Sequence, residues 1–215
     1  MNNALLSLLQ LSDPALPIGA YAHSSGLETY VQAGVVRDKG SSSAFIRAML
    51  AGNLHYTDAA LMALAHGAAL EQDSDRLRSL DRLCAAVKLP KEIREGSMKL
   101  GKRLMKIFPG IGGEEGLHHY SVVFGYCAAV LGIGLREALT GFYYNAASGM
   151  VTNCVKLIPL GQLEGQQLLL GLHSLILELT ERNLLPDPEM IGLACAGFDI
   201  RCMQHEQLYS RLYMS

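Results

Sequence analysis

Charge is scarce in this sequence. Asp, Glu, Lys and Arg make up 18% of its 215 residues, half of the residues are hydrophobic, and mean hydropathy is +0.20. A chain of this length buries roughly 70% of its unfolded surface on folding, so neither disulfides nor metal is needed to hold a core. The apolar excess has two explanations: a large helical core, or a wide apolar face that a partner covers. Cysteine is sparse as well. Cys84, Cys127, Cys154, Cys195 and Cys202 are far apart, odd in number and include no CxxC pair, which predicts buried free thiols in a reducing cytoplasm. Residues 1–11 lack the basic start of a secretory signal. The GK[ST] of a nucleotide-binding loop is missing throughout. The glycine-rich segment PGIGGEEG at 109–116 has Glu115 where a dinucleotide fingerprint needs glycine. It reads as a connector, and no intrinsic NTPase activity is expected.

Between Gly116 and Val155 the only charges are Arg136 and Glu137. The two uncharged runs are long enough on paper for spans of ~20 residues. Their histidines, serines, asparagines and glycines suit helices buried in protein rather than in lipid, so no membrane association is expected. The charges present are unevenly placed. Residues 76–106 hold ten of the eighteen basic residues and three acids, a local +7, which leaves −9 on the rest. That pattern is a solvated face or a match for an acidic partner. Nucleic acid is not the expected partner, because the basic stretch has no aromatic residue until Phe108 at its edge.

The most distinctive stretch is SDPALPIGAYAHSSGLETY at 12–30. Pro14 and Pro17 each lack an N–H and stop a helix. Gly19 and Gly26 permit backbone angles that other residues avoid. Ser25 and Glu28 fit a capping box for the next helix. His23, five residues before Glu28, is placed for an imidazole–carboxylate contact or for a backbone partner. The stretch predicts a compact, shaped loop between two helices.

Helical periodicity covers most of the remainder. Asn3 is placed to cap a helix over 4–11. Ser41–Ser43 offers a cap for a helix over 44–70 that breaks near Asn53. Asp73 starts another, with Leu77, Leu80, Leu83, Cys84 and Val87 inside and Arg78, Asp81, Arg82 and Lys88 outside. Pro90 opens a helix to Phe108. Ser97 and Gly101, small residues one turn apart on its inner stripe, allow a neighbouring helix to approach closely. Further helices are expected over 118–131, 136–156, 160–181 and 189–196. β-alternation is absent. The fold class expected is all-α, a single-domain bundle of about eight to ten helices over 1–215.

Seven histidines raise the question of metal. His205-Glu206 begins an HExxH-like string, but Tyr209 stands at the second histidine position. His118 and His119 are adjacent and point about 100° apart on a helix, which suits one ion poorly. No metal site, cofactor or catalytic residue is assigned. The enzymatic alternative is an all-α metal-binding enzyme using histidines and Glu206.

Three stretches carry a family resemblance: ALPIGAYAHSSGLE at 15–28, VKLIPLGQ at 155–162 and HEQLYSRLYMS at 205–215. In order and spacing they resemble the urease accessory protein F (UreF) family over essentially the whole chain. The resemblance implies a cytoplasmic, non-enzymatic chaperone for nickel insertion. It would bridge a UreD/UreH-type accessory protein and a UreG-type GTPase on apo-urease, regulate GTP-dependent nickel delivery, and form a homodimer. It implies that Lys156 opens a stretch linked to partner regulation, where many relatives carry Arg; Lys lacks the forked bidentate contact. Lys156, Gln162, Tyr209, Arg211 and Tyr213 are the expected partner-facing residues, with 205–215 as a docking tail. Tyr and Arg dominate interface hot spots. Pro14, Pro17, Gly19, His23, Ser25, Gly26 and Glu28 are expected to shape the loop.

Overall fold

The computed structural model describes residues 3–108, 116–193 and 195–215. The connector expected at 109–116 therefore lies outside the described residues except for Gly116.

The elements are α1 (Ala4–Leu11), α2 (Leu27–Gln32), α3 (Lys39–Met49), α4 (Ala60–Leu70), α5 (Ser74–Val87), α6 (Lys91–Ile107), α7 (Tyr120–Val130), α8 (Leu135–Leu157), α9 (Gln162–Leu170), α10 (His173–Arg182) and α11 (Ala196–His205). Short 3-10 turns occupy Ala20–Ala22 and Pro188–Met190. There is no strand among the described residues, and the all-α bundle is as expected. With α3 and α4 taken as one rod, nine rods of eight residues or more are described.

Chain entry into each helix differs in places from the sequence reading. Asn3 stands at the start of α1, but its side chain caps nothing. Asp38, not the serine cluster, caps α3: its carboxylate accepts from Ser41 N, and the Ser41 hydroxyl returns to the Asp38 backbone. The break expected near Asn53 is instead a π-helical stretch, Leu50–Ala59, that leaves the rod from Lys39 to Leu70 continuous. The last helix lies at Ala196–His205, not 189–196. Gly192 takes a left-handed φ of 82° and donates its N–H to Tyr56 O, so helix cannot start until after it.

Packing is set by small residues. α4 and α7 form the most extensive helix pair, and a Cβ on Gly125 of α7 would overlap the Met62 carbonyl of α4. α6 meets α7 at Gly101, where a Cβ would overlap the His118 carbonyl. Ser97, on the same stripe, accepts from Tyr120 N at 3.2 Å and touches His119 Nδ1 at 3.2 Å. α8 crosses the core and buries Leu139, Phe142, Tyr143, Ala147 and Cys154. A second, smaller cluster of Met49, Phe198 and Cys202 seats α11.

On α5, Leu77, Leu80 and Cys84 are inside as expected, but Leu83 is exposed while Asp81 and Lys88 are buried. Each buried charge has a partner. Asp81 accepts from the backbone N–H of His118 and His119 at 3.0 and 2.8 Å, so it caps α7 from a neighbouring helix. Lys88 Nζ meets Asp58 on the π-helical stretch at 2.7 Å. Burial opposes its charge, but the Asp58 carboxylate more than offsets this and its pKa is raised. No described helix is long and apolar enough to cross a membrane.

Candidate functional site

The loop and the C-terminal tail, distant in sequence, form one assembly. The loop is anchored from below by two asparagines of α8. Asn145 Nδ2 donates to Ser12 O at 2.9 Å and Asn153 Nδ2 to His23 O at 3.0 Å. From the side, Arg103 of α6 donates to Ile18 O at 2.9 Å. Gly19 (φ 89°) lies against that guanidinium, and a Cβ there would overlap it. Ser25 and Gly26 both take positive φ. Gly26 presses on Cys202 of α11, whose Sγ would lie 2.7 Å from a Cβ.

Ser25 therefore does not cap α2. Gly26 holds the N-cap position, and the side chain of Glu28 is occupied elsewhere. Glu28 is 3% exposed and collects the tail. Its carboxylate accepts from the N–H of Leu212 at 2.9 Å and of Tyr213 at 3.3 Å, and contacts His205 Nε2 at 3.1 Å. The other ring nitrogen of His205 meets Glu92 of α6 at 2.7 Å, and Glu92 also accepts from Arg211 at 2.6 Å. A buried carboxylate that accepts from two backbone N–H groups is a strong anchor. The imidazole expected on Glu28 is thus His205, not His23.

His23 binds the end of the tail instead, with Nδ1 2.7 Å from Ser215 Oγ. The Ser215 backbone oxygen accepts from Ser24 N, Ser25 N and Ser24 Oγ at 2.6, 3.1 and 2.8 Å. Met214 N donates to Ala22 O, and Gln32 Nε2 to Ser210 O. The tail's backbone thus pairs with loop backbone at Ala22, Ser24 and Ser25. Burial, then Lys99 and Arg103, hold His23 below the ordinary histidine range.

Beside this assembly lies a cavity of about 270 Å³, bounded by the loop, α3, α6 and α8. Its wall is mostly apolar, with Leu16, Met49 and Phe142, and it includes the Asp58–Lys88 pair, His23 and Ser215. Lys156, exposed in the last turn of α8, also lines it and has no ion-pair partner among the described residues.

The candidate residues divide by place. Pro14 and Pro17 are exposed on the loop, whereas Gly19, Gly26 and Glu28 are buried in it. Gln162 is exposed at the start of α9, away from the cavity lining. Tyr209 is fully exposed, Arg211 is held by Glu92, and Tyr213 is buried with its hydroxyl unpartnered. Sequence reading missed Ser24, Glu92, Arg103 and Asn153. The asparagines did stand out as polar residues in an apolar run, which was their signal. Glu206 is half-exposed, and among the described residues no three His, Cys, Asp or Glu side chains gather as metal ligands.

Comparison with known proteins identifies the family. The sequence model of the UreF family matches residues 36–173. A urease accessory protein UreF of Actinobacillus pleuropneumoniae serotype 5b (strain L20) is 44% identical over 97% of this chain and 98% of its own. That of Haemophilus influenzae (strain ATCC 51907 / DSM 11121 / KW20 / Rd) is 43% identical over 97% and 94%. That of Arthrobacter sp. (strain FB24) is 34% identical over 98% and 96%. The family model covers well over half of the chain and these relatives nearly all of it, and the chain belongs to the urease accessory protein UreF family.

Proposed function

We propose that the chain is a non-catalytic scaffold in urease maturation. It bridges a UreD/UreH-type protein and a UreG-type GTPase on apo-urease and couples GTP hydrolysis to the insertion of nickel, its cargo. In this reading it acts in the cytoplasm as a homodimer, one domain with 205–215 as a docking tail. The observation that carries the reading is the similarity of nearly the entire chain to urease accessory proteins. The loop–tail assembly adds to it. The tail's backbone and Tyr213 are taken up by the chain itself, which leaves Tyr209, Leu212 and Met214 exposed within one six-residue stretch. Exposed aromatic and aliphatic side chains on a fixed backbone are what a partner surface needs. Lys156 offers an exposed ammonium at the cavity, with no ion-pair partner among the described residues.

The test is Lys156→Ala, with Tyr209→Ala/Leu212→Ala as a second variant. Both sets are exposed, so melting should move by no more than about 0.5 kcal/mol of stability. Urease activation in cells should fall with Lys156→Ala. Co-purification with the UreD/UreH-type protein should fall with the tail pair. Full activation by Lys156→Ala removes that residue from the mechanism, and undiminished co-purification removes the tail.

A further inference from the structure

The basic stretch of the sequence is not uniformly available in the fold. On α5, Arg76 pairs with Glu71, Arg78 with Asp75 and Lys88 with Asp58. At the start of α6, Arg94 donates to the carbonyls of Lys88 and Leu89, and Lys91 faces Glu95 at 4.0 Å. Arg103 is committed to the loop. Arg82 on α5 and Lys99, Lys102 and Lys106 on α6 remain exposed without an ion-pair partner among the described residues, and the three lysines share one helix.

Their spacing puts them on one face of α6, opposite the buried Ser97, Gly101 and Leu104. Lys99 and Arg103, and Lys102 and Lys106, are like-charged neighbours four apart; Lys99 and Lys102, and Arg103 and Lys106, are neighbours three apart. Each such pair weakens an isolated helix. Lys106 is in the last turn and gains from the helix dipole, but Lys99 and Lys102 lie beyond its reach. The ridge therefore costs the free chain stability that an opposing acidic surface would return. Its field extends to the loop, where Lys99 and Arg103 add to burial in disfavouring the charged form of His23.

We propose that Lys99, Lys102 and Lys106 form a docking ridge for an acidic face of another protein in the maturation assembly, and this rests on the accessory role proposed above. A nucleic acid fits less well. The helices α5 and α6 contain no Phe, Tyr or Trp on which bases could stack. Lysine also lacks the fork that grips phosphate bidentately. Compact, hydrated lysine charges suit salt-sensitive steering of a protein partner. Because Arg103 and Glu92 tie the same helix to loop and tail, an occupant of the ridge sits against the loop–tail assembly.

The experiment uses the full chain and three purified probes: the UreD/UreH-type protein, the UreG-type GTPase and apo-urease. Binding of wild type is compared with K99E/K102E/K106E and with R37E/K39E/K91E, a control of equal charge change at other exposed sites. Affinity for one probe should fall about tenfold or more for the ridge variant in ~50 mM salt, and the gap should narrow in ~300 mM salt as screening grows. The control should stay within about threefold of wild type. K99Q/K102Q/K106Q, which introduces no new charge, should lose an intermediate amount. Ridge variants that bind every probe like wild type overturn the inference and leave the accessory role standing. Equal losses in ridge and control variants overturn it as a bulk-charge effect. Wild type binding duplex DNA as tightly as the best protein probe also overturns it. Wild type that binds none of the three probes overturns the accessory role and the inference together.

Discussion

Tyr213 shows how one side chain fixes the tail. Its ring is 7% exposed, its N–H is held by Glu28, and its hydroxyl is buried without a partner. An unsatisfied buried hydroxyl costs about 1–3 kcal/mol, so Tyr213→Phe is expected to be neutral or stabilising in urea titration. Tyr213→Ala should cost about 3 kcal/mol through the cavity it leaves. A destabilised Tyr213→Phe would mean that the hydroxyl has an ordered partner. The residue-level reading of the sequence had the right amino acids with some wrong pairings. Ser25 and Glu28 satisfy a capping pattern, yet a pattern of local spacing cannot show that Glu28 is claimed by a tail 177 to 185 residues away. His205 was seen as a failed metal motif. Its two ring nitrogens face Glu28 and Glu92, carboxylates far from it in sequence.

The helices themselves were largely legible. α1 falls on 4–11, and α5 through α8 start within two residues of their signals, because Asp73, Pro90 and the Gly132–Gly134 turn punctuate the chain locally. What periodicity could not reveal was long-range compensation. Asp81 and Lys88 look like solvent-facing charges on α5, and they are inside because α7 lacks its own cap and the π-helical stretch presents Asp58. Close helix approach is the element-scale test. Gly101→Ala drives a methyl into the His118 carbonyl, and overpacking of this kind costs about 1–3 kcal/mol. Ser97→Ala removes an acceptor for Tyr120 N at about 1 kcal/mol. Chemical denaturation should rank Gly101→Ala as the more damaging. The reverse order would mean that α6 and α7 have room to separate.

Across the whole molecule, acid should weaken the fold through its histidines. Burial and then Arg182 pull His55 from 6.5 to about 4. The Asn183 amide donates to Tyr143 Oη at 2.8 Å, leaving that hydroxyl's proton for His55 Nδ1, also at 2.8 Å. The neutral ring fits this chain of bonds. Between pH 6.5 and 4 the unfolded state binds more protons than the folded one, so stability is lost as pH falls, by up to roughly 3 kcal/mol from this residue. His23 and His119 are lowered too, chiefly by burial, and act in the same direction. Urea midpoints measured from pH 7 to 4.5 should decline, and His55→Gln should decline less steeply. Parallel slopes for the two proteins would exclude His55 as a source.

The union of loop and tail sets an order on how the molecule is made. Residues 12–28 leave the ribosome early, but the side chains and backbone that complete the surroundings of Glu28 emerge 177 to 185 residues later. A translation product interrupted before position 205 leaves the Glu28 carboxylate stranded in an apolar setting and the Ser24 and Ser25 amides open. Incomplete copies thereby lack the contacts that fix the loop, and synthesis through the tail becomes a condition for completing this part of the fold.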